Sequence, residues 1–329
     1  MKSKYVQRRR GAVAAAAALA VVFTATAASA QQKVYNWGSS SLGSTGHVII
    51  TTLAATVDKY TDLKNSAKST AGGSQNMALM AENQLDFGQA PSTIWKAALE
   101  GEPPYTKKVR AVQMFAYTTF PMNPVVRADS SIKAWPDLKG KRVMAGAAGG
   151  ATAVDYQMLG DVGGMDWKFN YGSWAETHNA LKQGAVEAIP SLTNSGRPSP
   201  SLAELEAGMK LRVIAIPDDV IAKLRSRNPG VLVHTVTSKE WPTVEQPMRM
   251  ITQGGILAAH PDVSEDVAYK VTKAIFDNEA EVRSKGVQLE DVSLKFATSQ
   301  LIPEYPLHPG AARYFREKGV LPASQKVGL

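Results

Sequence analysis

The 329-residue chain contains no cysteine. That excludes a disulfide scaffold, a thiol nucleophile and any thiolate metal site. Its histidines, His47, His178, His234, His260 and His308, occur singly, with no H-E-x-x-H pair and no G-x-S-x-G elbow. Metalloprotease and serine-hydrolase chemistry therefore lack their parts, and no metal, cofactor or catalytic residue is expected. No glycine loop carries the lysine of a G-x-x-x-x-G-K-[ST] phosphate cradle. Gly38, Gly43 and Gly46 are wrongly spaced for a dinucleotide fingerprint. No lysine- or arginine-rich stripe alternates with aromatics, so nucleic acid is not an expected partner.

Long apolar runs are also missing after the first thirty residues. Those thirty begin with Lys2, Lys4, Arg8, Arg9 and Arg10, continue as GAVAAAAALAVVFTATA and end in Ala28-Ser29-Ala30. A basic start, an apolar centre and an A-x-A site predict a signal peptide over 1–30, cleaved after Ala30 before Gln31. The apolar stretch falls short of the ~20 residues a spanning helix needs. The expected mature protein is exported and periplasmic. Its charge is modest: the whole chain carries +8, but removing five of its 37 basic residues leaves 32 against 29 acidic, a net of +3.

What the chain does have is a repeated pattern of strand, glycine-hydroxyl loop and helix. KVYNWG (33–38) alternates like a short strand, GSSSLGSTG (38–46) follows, and HVIITTLAATVDKY has helical spacing with Ser44 or Thr45 as N-cap. A second unit runs through DLKNSAKST, AGGS (71–74) and QNMALMAENQ. The third is LDFGQ (85–89), APS (90–92) and TIWKAALEG. Three such units predict a largely parallel sheet with all three loops at the strands' carboxyl ends, the ligand-binding edge of open α/β sheets. The pattern returns in GKRVMAG (140–146), AAGGAT (147–152) and AVDYQMLGDVGG, and AVEAIPSLT (185–193) reads as a strand ending in TNSGRPSP. The fold class expected is α/β with two lobes. Proline-bearing PMNPVVR (121–127) and VEQPMRMITQG (244–254) are its candidate crossings, since proline is tolerated on connecting strands.

A helix N-terminus presents unpaired N–H groups and about half a positive charge. Glycine lets a ligand approach that backbone, and serine or threonine adds donors without bulk, so such loops can hold an anion without lysine or arginine. Helix capping alone would explain any one of them. Three in comparable positions, drawn from both halves of the chain, point to a shared site. His47 adjoins the first loop. His178, in a helical segment, reads as a surface or core histidine, and His308 as a turn or helix-start residue. Arg127 reads either as a countercharge or as a structural partner of Asp129, and Arg197 is equally open. Tyr117, Phe120 and Trp174 are aromatics for the cleft wall or the core.

Several stretches, in order, resemble the TAXI family of solute receptors, the extracytoplasmic binding proteins of one class of TRAP transporter. They are GSSSLGSTG, AGGSQNMALMAENQLDFGQAPS, VVRADSSIKAWPDLKGKRVMAGAAGGAT and PLHPGAARYFREKG. The resemblance implies a type II-like periplasmic binding protein fold, with lobe I from 31–122 and 247–329 and lobe II from 123–246. It implies capture of a small carboxylate (an amino-dicarboxylate, a dicarboxylate or a 2-oxo acid) by a monomer, and delivery to an ion-gradient-driven TRAP permease in the membrane. An oxyanion or aromatic-acid receptor of another transporter, or an enzyme on the same scaffold, is the alternative.

Carried onto this chain, the contacts come from Ser40, Ser41, Ser44, Thr45 and His47 in the first loop. Gly73, Ser74 and Asn76 follow from the second loop, then Gln89 and Ser92. The other lobe adds Gly149, Gly150, Ala151 and Thr152, with Thr193, Asn194 and Ser195 after its last central strand. Two departures bear on ligand choice. His47-Val48 stands where family members commonly have aromatics, and Gly150-Ala151 replaces a common serine before the final threonine.

Overall fold

The first strand, β1 (Val34–Gly38), carries Trp37 fully buried at its end and leads through the glycine-hydroxyl loop into α1 (Thr45–Tyr60). A computed structural model describes residues 32–42 and 44–328; the expected signal peptide lies outside them. The chain continues as β2 (Lys64–Lys68), α2 (Gly73–Ala81), β3 (Phe87–Pro91) and α3 (Trp95–Glu100). Strands β2, β1 and β3 are parallel neighbours with β1 in the centre, as the repeated units require. The loops that follow them therefore share one sheet edge.

The sheet as a whole is mixed rather than largely parallel. β4 (Val112–Pro121) is buried along its whole length and so lacks the alternation that marks a half-exposed strand. β5 (Pro124–Arg127), β6 (Arg142–Met144), α4 (Ala151–Gly163), β7 (Lys168–Asn170) and α5 (Trp174–Lys182) follow. Next come β8 (Ile189–Pro190), α6 (Pro200–Gly208), β9 (Leu211–Val213), α7 (Asp218–Arg227) and β10 (Val231–Val236). The expected strand over 185–193 shrinks to the two residues of β8.

β11 (Met248–Ala259) is the longest strand. Its first half pairs antiparallel with β10, its second half with β3, and β4 runs along its opposite edge. This one strand thus joins the part of the sheet built early in the chain to the segment containing β10. A separate three-stranded sheet has the order β8-β5-β9, and β6 pairs parallel with β7. The C-terminal helices α8 (Glu265–Phe276), α9 (Glu279–Ser284), α10 (Leu294–Ala297) and α11 (Pro309–Glu317) pack back on the first part.

The buried apolar side chains separate in the same way. One cluster takes residues between Trp37 and Phe120 together with Ile256–Phe315, joined by Ala151 alone from the intervening stretch. Two others draw on Met122–Ile251, one around Trp135, Tyr156 and Trp167, the other around Leu181, Leu202 and Trp241. Burial at roughly 25 cal/mol per Å² makes each a core in its own right. The result is a two-lobed α/β fold in which β11 passes from one core to the other and the chain crosses again just after β4, between Phe120 and Met122.

Candidate ligand-binding site

A cavity of about 550 Å³ opens among the starts of five helices, α1, α2, α4, α5 and α6. Ser40, Ser41, Ser44, Thr45 and Gly46 line it from the first loop, and Ala71, Gly72 and Gly73 from the second. Gln89 and Pro91 come from β3, Gly150, Ala151 and Thr152 from the start of α4, and Ser173, Trp174 and His178 from α5. Among the described residues, no aspartate, glutamate, lysine or arginine lines it. Any charge on a ligand must therefore be met by dipoles.

Not all five helix starts are equally free. Ser44 caps α1 by accepting from the His47 N–H, Ser173 caps α5 in a reciprocal box with Glu176, and Ser199 caps α6. α2 and α4 have no side-chain cap. Gly72, at the N-cap of α2, adopts φ +108°, which a residue with a Cβ rarely takes. Glycine there lets the turn place the α2 N–H groups against the cavity. An uncapped helix start keeps its donors for another acceptor.

Three buried polar residues lining the cavity have side chains with no hydrogen-bond partner among the described residues: the Thr152 hydroxyl, the Gln89 carboxamide and the His178 imidazole. Each is at least nine-tenths buried, with exposures of 8, 7 and 8%. Gln89 Oε1 is itself buried without a partner, at a cost of about 1–3 kcal/mol for an unpaired polar group, while the Thr152 hydroxyl and the His178 ring nitrogens are open to a group in the cavity. Burial holds the His178 imidazole below its ordinary pKa, and the nearby Glu204 offsets this in part. It is neutral at pH 7 and offers one donor and one acceptor.

α4 itself carries a buried carboxyl, Asp155. Its Oδ2 accepts from Thr93 Oγ1 at 2.9 Å and from Gln253 Nε2, and Gln253 itself lines the cavity. Desolvation pushes the Asp155 carboxyl up to about 7, and the bonds from Gln253 and Thr93 pull it partway back. Neither its identity nor its role has a signal in the sequence beyond a carboxylate inside an apolar helix face.

The other residues expected to touch ligand lie elsewhere. His47 Nδ1 is 2.9 Å from Ser39 Oγ, and Ser39 donates to the Lys68 carbonyl, so His47 anchors the loop from behind. Ser74 is buried off the lining, its hydroxyl without a hydrogen-bond partner among the described residues. Ser92 is fully buried, donating to Gly230 O and accepting from Gly254 N at 2.8 Å. Gly149 occupies the turn before α4, off the lining. Thr193 donates to Pro121 O, Asn194 accepts from Thr118, and Ser195 donates to Asp291. From that stretch Ser191 and Leu192 line the cavity instead. Arg127 is paired with Asp129 and Arg197 with Glu290. Phe120 and Trp174 are in the wall, while Tyr117 is core.

Asn76 is the most consequential of these displaced residues. Its Nδ2 reaches the carbonyls of Gly38 (3.1 Å), Ser39 (2.8 Å) and Gln89 (3.0 Å), tying the ends of β1 and β3 under the loops. Asn76→Ala strands buried carbonyls, and we expect a loss of about 2 kcal/mol of stability. Urea denaturation checks this; an unchanged midpoint would show that water replaces the amide.

A family model described as the NMT1-like family matches residues 38–319. The chain belongs to the NMT1-like family. The match runs from the glycine that opens the first loop to beyond α11, so all five helix starts of the cavity lie inside the NMT1-like region. Among solved structures this NMT1-like chain is similar to the periplasmic aliphatic sulphonate binding protein of Escherichia coli, at 17% identity over 79% of this chain and 78% of that one, TM-score 0.44. It is also similar to a binding protein component of a phosphonate transporter from Pseudomonas aeruginosa, at 12% identity over 79% and 78%, TM-score 0.47. A TctC solute binding protein from Polaromonas shares 15% identity over 80% and 88%, TM-score 0.44. At these values the likenesses say nothing of this chain's own ligand.

Proposed function

We propose that this chain is an extracytoplasmic solute-binding protein that captures a small organic anion, a carboxylate, and presents it to a membrane permease. One observation carries the reading: two uncapped helix starts, α2 from one side and α4 from the other, face a single cavity without a charged side chain. A carboxylate there accepts charge-assisted hydrogen bonds, roughly twice as strong as neutral ones. The Thr152 hydroxyl and Gln89 carboxamide add donors. We take 31–122 with 247–329 as one lobe and 123–246 as the other, closing over the ligand about β4 and β11. The resemblance to TAXI receptors supports a permease of the TRAP type, and the basic-apolar leader supports the periplasm. No helix among the described residues is long and apolar enough to cross a membrane.

Thermal-shift screening against dicarboxylates, amino acids, 2-oxo acids, aromatic acids, sulfonates and phosphonates tests the reading. We expect carboxylates alone to raise the melting temperature. With the tightest binder at saturation, small-angle scattering should give a smaller radius of gyration. Stabilisation by a phosphonate or sulfonate in their place would favour the oxyanion reading, and an unchanged radius would contradict closure.

A further inference from the structure

Another part of the cavity wall is built from different chemistry. Trp174, in the first turn of α5, lines it with a partly exposed indole. The indole N–H groups of Trp37, Trp95, Trp167 and Trp241 each have an acceptor, whereas those of Trp135, in the core around Tyr156 and Trp167, and Trp174 have none among the described residues, and only Trp174 lines the cavity. Gly146 brings the backbone flush against this ring: a Cβ there would sit 3.2 Å from Trp174 Cζ2, and its φ is +81°. One turn on, His178 is the second aromatic of this wall, 6.3 Å away between ring centroids, and carries the unpartnered neutral imidazole.

Apolar side chains continue the wall. Leu42, the single large apolar residue of the GSSSLGSTG loop, lines the cavity while 77% exposed, and Phe120, Leu192 and Pro200 also face it. Leu192 holds φ +35°, a conformation a branched L-residue rarely takes, and strain of that kind persists where the surrounding structure imposes it. A four- or five-carbon dicarboxylate, with charges at both ends, would satisfy the helix starts but leave this wall and its two ring donors against water. A cavity of about 550 Å³ falls in the range that buries a larger, partly apolar ligand.

Resting on the anion-binding reading above, we propose that the ligand is a flat conjugated monoanion, an aryl or heteroaryl carboxylate. Its carboxylate lies at the starts of α2 and α4, its ring lies against Trp174, and a ring hydroxyl or ring nitrogen meets His178. Trp174 and His178 are then the specificity-determining pair, and neither was among the contacts expected from the family resemblance.

Titration calorimetry on the mature chain with 4-hydroxybenzoate, nicotinate, succinate, L-glutamate and 2-oxoglutarate tests this. The expected result is binding of at least one of the two aryl acids at least about tenfold tighter than any of the three aliphatic acids. Trp174→Ala should weaken that aryl acid about 10- to 100-fold. Trp174→Phe should recover most of the loss, and both variants should keep the wild-type far-ultraviolet circular dichroism. His178→Phe should narrow the gap between 4-hydroxybenzoate and benzoate. Aliphatic acids binding as tightly as the aryl acids, or an aryl acid indifferent to Trp174→Ala, would overturn this proposal and leave the carboxylate-receptor reading intact. Failure of all five acids to bind would overturn both.

Discussion

Replacing Thr152 by aspartate should abolish anion binding while leaving the fold in place. Thr152 sits in the first turn of α4, its hydroxyl unpartnered and its side chain in the cavity wall. Aspartate is of similar size, and a carboxylate in the first turn interacts favourably with the helix dipole, by about 0.3–1 kcal/mol. The ligand-free protein should therefore melt within a few degrees of wild type. For an incoming anion the same carboxylate is an occupant of the site and a like charge. Two such charges about 4 Å apart repel by about 4 kcal/mol at an effective dielectric of 20. We expect affinity for the tightest-binding carboxylate to fall at least about 100-fold. Thr152→Val, which removes only the hydroxyl, should cost about 5- to 30-fold. If calorimetry showed all three proteins binding alike, the start of α4 would be an ordinary helix end.

Asp155→Asn should flatten the pH dependence of stability. The folded carboxyl is pushed up to about 7 against an ordinary value of 3.8, so between those values the folded state holds a proton that the unfolded state has lost. Its contribution favours folding least above pH 7 and grows as pH falls toward about 4. Asparagine does not titrate, and its Oδ1 can still accept from Thr93 and Gln253. The wild-type stability should drop, relative to the variant, by on the order of 3 kcal/mol between pH 4 and pH 8. Denaturation of both proteins across that range measures the difference in slope, which is independent of any constant cost of the new amide. Parallel pH profiles would mean that Asp155 reaches water and ionises freely.

The sequence made the early fold legible because each β-loop-α unit combines a short alternating strand with glycine and hydroxyl residues just before a helical period. The parallel trio β2-β1-β3 and the convergence of their loops follow from that arrangement. β4 and β11 were harder to place because strands buried on both faces lose the alternation that marks a half-exposed one. Within the site, residue type identified the loops but could not identify the facing side chains. Thr45 and His47 are two positions apart on α1, about 200° around its axis, and one lines the cavity while the other turns back to Ser39. Gly73 offers only backbone to the cavity, while the Asn76 side chain, about one turn on, reaches beneath the strands.

The stretch after β8 turns on its backbone. Leu192 at φ +35° and Ser195 at φ +46° take the backbone out of the extended conformation, so Ser191 and Leu192 face the cavity while Thr193–Ser195, expected there from the family resemblance, bond to β4 and Asp291. Left-handed conformations at leucine and serine have no compositional marker. His178 was legible as a position on a helix but not as part of a wall, since the partners it lacks are visible only in three dimensions.

The central claim is that a ligand's negative charge is held by main-chain dipoles from two sides of one cavity, with hydroxyl and amide groups assisting. Titration calorimetry with the tightest-binding carboxylic acid and its own primary amide, molecules of nearly equal shape, measures that charge preference most directly. The acid should bind at least about 30-fold more tightly, in keeping with the extra strength of charge-assisted hydrogen bonds. Equal affinities, or a preference for the amide, would contradict the account.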